Sequence, residues 1–258
     1  MTNQLIKGIH HVTATTDDAL EDYHFYTHVL GMRLVKKTVN FDNNHVYHFY
    51  YADKIGTPGT VFTTFPYKNQ PNVKFGAEGT GQIVATALSV PITSLSFWHK
   101  RLQNAGTLVT YSQRFKQPVL WFRDPSGLQI ELIGDDSDAR EPWTNAENPE
   151  ITEGVAIRGI HHVTVAIAPE NWDLMGDLLQ LELNMRRLME ENNRIRFSIG
   201  NGGAGNYLEL QLNPHASIGR NGIGTCPRTQ STAVGNQQLY EGIAPSPRRQ
   251  HRRQCTED

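Results

Sequence analysis

The stretch Gly8-Ile9-His10-His11-Val12-Thr13-Ala14 returns as Gly159-Ile160-His161-His162-Val163-Thr164-Val165, six identities in seven at a spacing of 151 residues. Self-similarity at a fixed spacing marks a structural unit used more than once. A strand sends successive side chains to opposite faces, so in the first copy Ile9, His11 and Thr13 share one face and His10 and Val12 the other. Thr16-Asp17-Asp18 then offers a helix cap with acid in the first turn. An amphipathic run through Leu20, Tyr23, Tyr26 and Leu30 follows, and Gly31 ends it. Residues 32–37, 45–51 and 59–65 read as strands, with a turn at Thr57-Pro58-Gly59. The unit is βαβββ.

The same order returns further on. Residues 83–90 predict a strand and 93–105 a helix, with Leu95, Trp98, Leu102 and Ala105 as its buried stripe and Gly106 as its stop. Strands at 119–123 and 128–132 flank the turn Asp124-Pro125-Ser126-Gly127. A third unit opens at Ile157 and runs through 208–212. The expected fold is α+β, tandem βαβββ modules, three of them complete. They divide as a first module pair over 5–135, a linker over 136–156 and a third module over 157–225. Residues 226–258 break the pattern: they contain five Arg, no Lys, both cysteines (Cys226 and Cys255) and few large apolar residues. This tail is expected to be aberrant, read from a shifted frame, and disordered.

Composition narrows the function. With 258 residues, 38% of them hydrophobic, the chain can bury a core, which excludes a fibrous or wholly disordered protein. The 24 basic and 26 acidic residues, without a basic stripe before residue 226, give no footprint for nucleic acid. The opening MTNQLIKGIHH has no apolar segment of the secretory kind, and no stretch has eighteen apolar residues, so neither membrane span nor export is expected and the location reads as cytoplasmic. Two cysteines are too few for a thiolate metal site or a disulfide framework. Any metal must therefore use His and carboxylate, and two imidazoles with one carboxylate would leave positions open for substrate and O2.

The segments GIHHVTA, Leu120 to Leu132 (LWFRDPSGLQIEL) and GIHHVTV resemble the vicinal oxygen chelate superfamily, which includes glyoxalase I, extradiol dioxygenases and bleomycin-resistance proteins. The segment YHFYYADKIGTPGTVFTTF from Tyr47 to Phe65, with Val35-Lys36-Lys37-Thr38, is similar to its ring-cleaving dioxygenases of hydroquinones. That resemblance implies four βαβββ modules and Fe(II), with Mn(II) as the second choice, held by one His of the first module and a His and a Glu of the fourth. It places the first ligand at His11, with His10 and Thr13 beside it as supporting or substrate contacts. The fourth-module ligands have no counterpart, since Thr225-Cys226-Pro227-Arg228 stands where another paired-His strand belongs.

The implied reaction is extradiol-type cleavage of a hydroquinone-like ring by O2, impaired in this chain. The alternatives are a glyoxalase-type metal-dependent isomerase, its site drawn from His11, His162, Glu131 and Glu209, and a small-molecule binding protein without turnover. Tyr47, His45 and His48 read as packing in the first cup. A module without a partner also predicts a homo-oligomer or aggregation.

Overall fold

The two copies of the repeated motif both fold as strands, but only one of them is continuous. The computed structural model describes residues 6–213, 217–220, 222–224 and, as backbone, 243–245. In it the first copy is split at His10 into β1 (Ile6–Ile9) and β2 (His11–Thr16). Gly8 and Gly159 have φ of 156° and 144°, and a Cβ at either would strike a neighbour, Asn206 at the first and the Arg140 guanidinium at the second. Arg140 uses that space to donate to the carbonyls of Gly59 (3.1 Å) and Ile160 (2.9 Å), tying the first module to the third.

In the first module Asp18 caps α1 (Ala19–His24), its carboxylate accepting from the amides of Leu20 (2.7 Å) and Glu21 (3.0 Å). The helix continues as a π-turn over Phe25–Val29. Tyr26 and Leu30 are buried as the pattern predicts, whereas Leu20 is 74% exposed and lies outside the stripe. Then come β3 (Arg33–Val39), β4 (Tyr47–Ala52) and β5 (Val61–Pro66), in the sheet order β2-β5-β4-β3. The first and last strands of the module are parallel neighbours, an arrangement that needs the helical crossover between them.

The second module runs β6 (Gln82–Val90), α2 (Leu95–Asn104), β7 (Val109–Arg114), β8 (Gln117–Arg123) and β9 (Gln129–Gly134). Leu95, Trp98 and Leu102 are buried; Ala105, expected with them, is exposed beyond the helix end. The third runs β10 (Gly159–Ile167), α3 (Trp172–Asp177), β11 (Arg186–Glu191), β12 (Arg194–Ser198) and β13 (Tyr207–Leu212). These two modules share one eight-stranded sheet, β11-β12-β13-β10-β6-β9-β8-β7, with an antiparallel seam between β10 and β6.

Sheet pairing therefore joins the second module to the third, across 136–156. The edges of β6 and β10 satisfy each other's backbone groups. The first module meets the second through side chains instead: Tyr26 donates to Asp124 (2.9 Å), and Arg101 to the carbonyl of Val29 (2.7 Å). The connection over 136–156 carries no strand or helix, yet it buries Trp143 and Ile151 against the core. Of the segment 226–258, Ile243–Pro245 form β14, antiparallel to β1. The rest of it lies outside the described residues, and the expectation of disorder with it. No described helix is long and apolar enough to cross a membrane.

Candidate functional site

Ladder register identifies the residues that hold the same place in each module. Thr13 pairs with Thr63 across β2 and β5, Ala87 with Glu131 across β6 and β9, and Thr164 with Glu209 across β10 and β13. Two residues before each first partner stand His11, Ala85 and His162. The third module thus has both an imidazole and a carboxylate, the second a carboxylate alone, and the first an imidazole with Thr63 where the others have Glu. The sequence repeat exposes the histidines; only the register exposes the threonine.

The face of the first sheet turned away from α1 is half-open. It presents His11 and Thr13 from β2, Thr63 from β5, and His48 and Tyr50 from β4, while Val12, Phe49 and Tyr51 on the opposite face are buried. His10 and His11 meet through their Nδ1 atoms at 3.0 Å with rings nearly perpendicular, so one of the two nitrogens carries the proton and the other a lone pair. Thr63 donates to the Thr13 hydroxyl at 2.9 Å. His48 faces this cup as expected, but Tyr47 shares the other face with Phe49 and His45 precedes β4 and is exposed. Burial first, then the nearby charges of His11 and Lys36, push His48 down to about 4, so it is neutral at ordinary pH.

The cup between the second and third modules is closed. His162, Glu131 and Glu209 come together there without solvent exposure, His162 Nε2 lying 3.3 Å from Glu209 and 3.7 Å from Glu131. His11 belongs to the other sheet, and among the described residues it forms no metal-holding group with these three. Three arginines fill the closed cup. Arg114 forks Glu131 at 2.7 and 2.9 Å and reaches Glu209 at 3.1 Å; Arg196 holds Glu209 at 2.7 and 3.0 Å, and Arg194 does so at 3.2 Å. Burial opposes the charges on both carboxylates, but Arg114 outweighs it at Glu131, and His162, Arg114 and Arg196 outweigh it at Glu209, so both stay below the usual carboxylate range.

Behind them the Nε2 of His161 meets Asp135 at 3.2 Å, and its Nδ1 meets His162 Nδ1 at 2.8 Å, so that one of these two nitrogens carries the proton between the rings. The Nε2 of His162 faces the two carboxylates, 3.3 Å from Glu209 and 3.7 Å from Glu131, beside the Arg114 guanidinium. None of the three arginines stands out in the sequence, because an Arg at an alternate strand position reads as a solvated face.

The described residues do not complete a site for Fe(II). Among the described residues no three His, Cys, Asp or Glu side chains form a group able to hold a metal ion. Among the described residues, His10, Thr13 and Thr63 lie on or beside the face that carries His11, and in the closed cup the carboxylates are already bound to guanidinium.

Comparison with known proteins agrees with the modules. Residues 8–132 match the model of the Glyoxalase/Bleomycin resistance protein/Dioxygenase superfamily. The chain is 36% identical over 217 residues to "Putative ring-cleaving dioxygenase MhqO" of Bacillus subtilis (strain 168), covering 84% of this chain and 66% of that protein. It is 34% identical over 211 residues to the chlorohydroquinone/hydroquinone 1,2-dioxygenase of Sphingobium indicum, covering 80% and 64%. It thus spans about two thirds of the length of these curated relatives. A crystal structure of a "putative dioxygenase" from Bacillus subtilis superposes with a TM-score of 0.78 at 33% identity, covering 92% of this chain and 76% of the other.

Proposed function

The chain belongs to the glyoxalase/bleomycin resistance protein/dioxygenase superfamily, and from that premise we propose that its first module is the ring-binding half of a hydroquinone-type ring-cleaving dioxygenase site. The observation that carries this reading is the half-open face of the first sheet. There an imidazole, paired hydroxyls and aromatic rings lie together, a surface suited to a neutral dihydroxylated ring. Fe(II), or Mn(II) in its place, would supply the Lewis acidity and the open position for O2 that such cleavage needs.

His11 is the residue proposed to meet that ion. His10 would orient it, since a proton on His11 Nδ1, donated to His10, leaves His11 Nε2 as a lone pair. Thr63, by donating to Thr13, leaves the Thr13 hydroxyl hydrogen free to turn towards a ring oxygen. The described residues provide no carboxylate for a complete centre, which supports an impaired rather than a full activity. The same incompleteness favours, as a second reading, a protein that binds the ring without turning it over.

Oxygen uptake on hydroquinone after anaerobic Fe(II) loading separates the two. Slow uptake that falls at least tenfold further in His11→Ala supports the dioxygenase reading. Ring binding with no uptake supports the binding protein, and one tightly held iron per chain with brisk uptake would overturn the claim of impairment.

A further inference from the structure

Two of the strands that end a sheet are guarded. β3 carries Arg33, Lys36 and Lys37 and a register shift between Leu34 and Lys36; β11 carries Arg186, Arg187, Glu190 and Glu191 and a shift between Arg187 and Met189. Charges and bulges of this kind keep an edge from pairing with another chain. β7 ends the eight-stranded sheet with neither. It runs Val109-Thr110-Tyr111-Ser112-Gln113 without charge or proline before Arg114 turns inward, and its ladder with β8 is unbroken from Val109 to Arg114. Leu108 and Tyr111, left 92% and 53% exposed, both lie along it.

Hairpin geometry decides which backbone groups of this edge point outward. Phe115-Lys116 alone join β7 to β8, both with positive φ (49° and 64°), the two-residue turn that sits on a hydrogen-bonded pair. Arg114 and Gln117 are that pair. Bonding alternates from there, so Ser112 and Thr110 direct their amides and carbonyls to β8, while Gln113, Tyr111 and Val109 turn theirs away from the sheet. Among the described residues, none bonds these outer groups.

A second copy of β7 matches this row. Across a two-fold axis normal to the sheet at Tyr111, an antiparallel partner sets Tyr111 opposite its own copy and Val109 opposite Gln113, and each of these residues has its backbone groups pointing out. The strand is uncharged, so the pairing brings no like charges together. The same register carries the hairpin tip of the second copy past Leu108, which sets its Lys116 at Gly106 and Thr107. Those two residues line a groove of about 1080 Å³ whose other wall is α1, with Leu20 and Glu21 on it. An exposed ammonium thus meets an exposed carboxylate, twice by symmetry. A stable dimer buries roughly 800 Å² per partner, more than a short edge strand offers, and the groove supplies the rest.

We propose that β7 is a dimer edge, through which two copies of the chain pair antiparallel over 109–113 about an axis at Tyr111, with Lys116 of each copy in the groove of the other against Glu21. This surface is separate from the open face of the first module, and the inference does not depend on the ring-binding reading.

Sedimentation equilibrium of the full chain over a concentration series tests it. Wild type is expected to dimerise at micromolar concentration. Tyr111→Lys sets like charges opposite each other on the axis and should weaken association at least about tenfold with the melting temperature unchanged. Gln113→Pro removes an amide that points outward, leaves the ladder with β8 intact, and should do the same. Lys116→Glu should weaken association about threefold, and adding Glu21→Lys to it should restore the wild-type value. A chain that stays monomeric up to about 100 μM overturns the proposal, and so does a dimer indifferent to both Tyr111→Lys and Gln113→Pro. A dimer that the edge variants break but the paired charge exchange fails to restore overturns the axis at Tyr111.

Discussion

At the scale of the single residue, Arg114 has the largest consequence for the fold. Its guanidinium faces two carboxylates that are out of contact with water, and His162 Nε2 lies beside the same pair. Removing one partner of a buried ion pair leaves uncompensated charge, so Arg114→Ala should lower unfolding stability in urea by about 3–5 kcal/mol. An effect under about 1 kcal/mol would show that Arg194 and Arg196 suffice without it. His161 makes a prediction of opposite character. Burial, only partly offset by Asp135, lowers it from 6.5 to about 4. A histidine held below its ordinary value binds fewer protons folded than unfolded. It therefore favours the folded state above pH 6.5, and that contribution fades as pH falls towards 4. The stability difference between wild type and His161→Gln, followed by denaturant unfolding, should shrink by about 3 kcal/mol across that window. A constant difference would place the proton elsewhere.

Elements join in ways that single residues do not announce. The first and second modules share no ladder, so their junction depends on side chains reaching across helices. Tyr26, fully buried on the π-turn, donates to Asp124, whose carboxylate also accepts from the amides of Ser126 (2.9 Å) and Leu128 (2.8 Å). Tyr26→Phe keeps the ring packing and removes one of three donors, so it should cost about 1–3 kcal/mol in chemical denaturation. No measurable cost would mean that water replaces the hydroxyl. The sequence makes these elements legible where burial imposes a period. The repeat GIHHVT identifies two opening strands, and Leu95, Trp98 and Leu102 identify the face of α2. It fails at β7, Val109–Arg114, an edge strand exposed over most of its length until Arg114 turns inward. Nothing buried imposes alternation there, and so the residue that closes the second cup stayed hidden with its strand. The pairing of β6 with β10 was equally out of reach, because a ladder between strands seventy residues apart depends on which edges are left open, not on local pattern.

For the whole molecule, the two sheets divide the work between a closed half and an open one. Every residue of β10 is buried, whereas β2, which opens with the same histidine, alternates between buried and half-exposed positions. The candidate first ligand was legible because it sits in the repeat. That its module carries a threonine where the others carry a carboxylate was not, since it depends on Thr63 lying in the register that Glu131 and Glu209 hold in the other modules. This division bears on what a chelator would do. A structural metal stabilises in proportion to its occupancy, and stripping it lowers the melting temperature. In the closed half the charge on both carboxylates is balanced by guanidinium groups, which no chelator removes. In the open half His11 and its neighbours are already held by the sheet and by one another. Thermal unfolding should therefore shift by less than about 1 °C between EDTA and added Fe(II) or Mn(II), followed by circular dichroism. A fall of more than about 4 °C in EDTA, worth roughly 1–2 kcal/mol for a chain of this size, would mean that a metal contributes to the fold and that the donors assigned to arginine are shared with it.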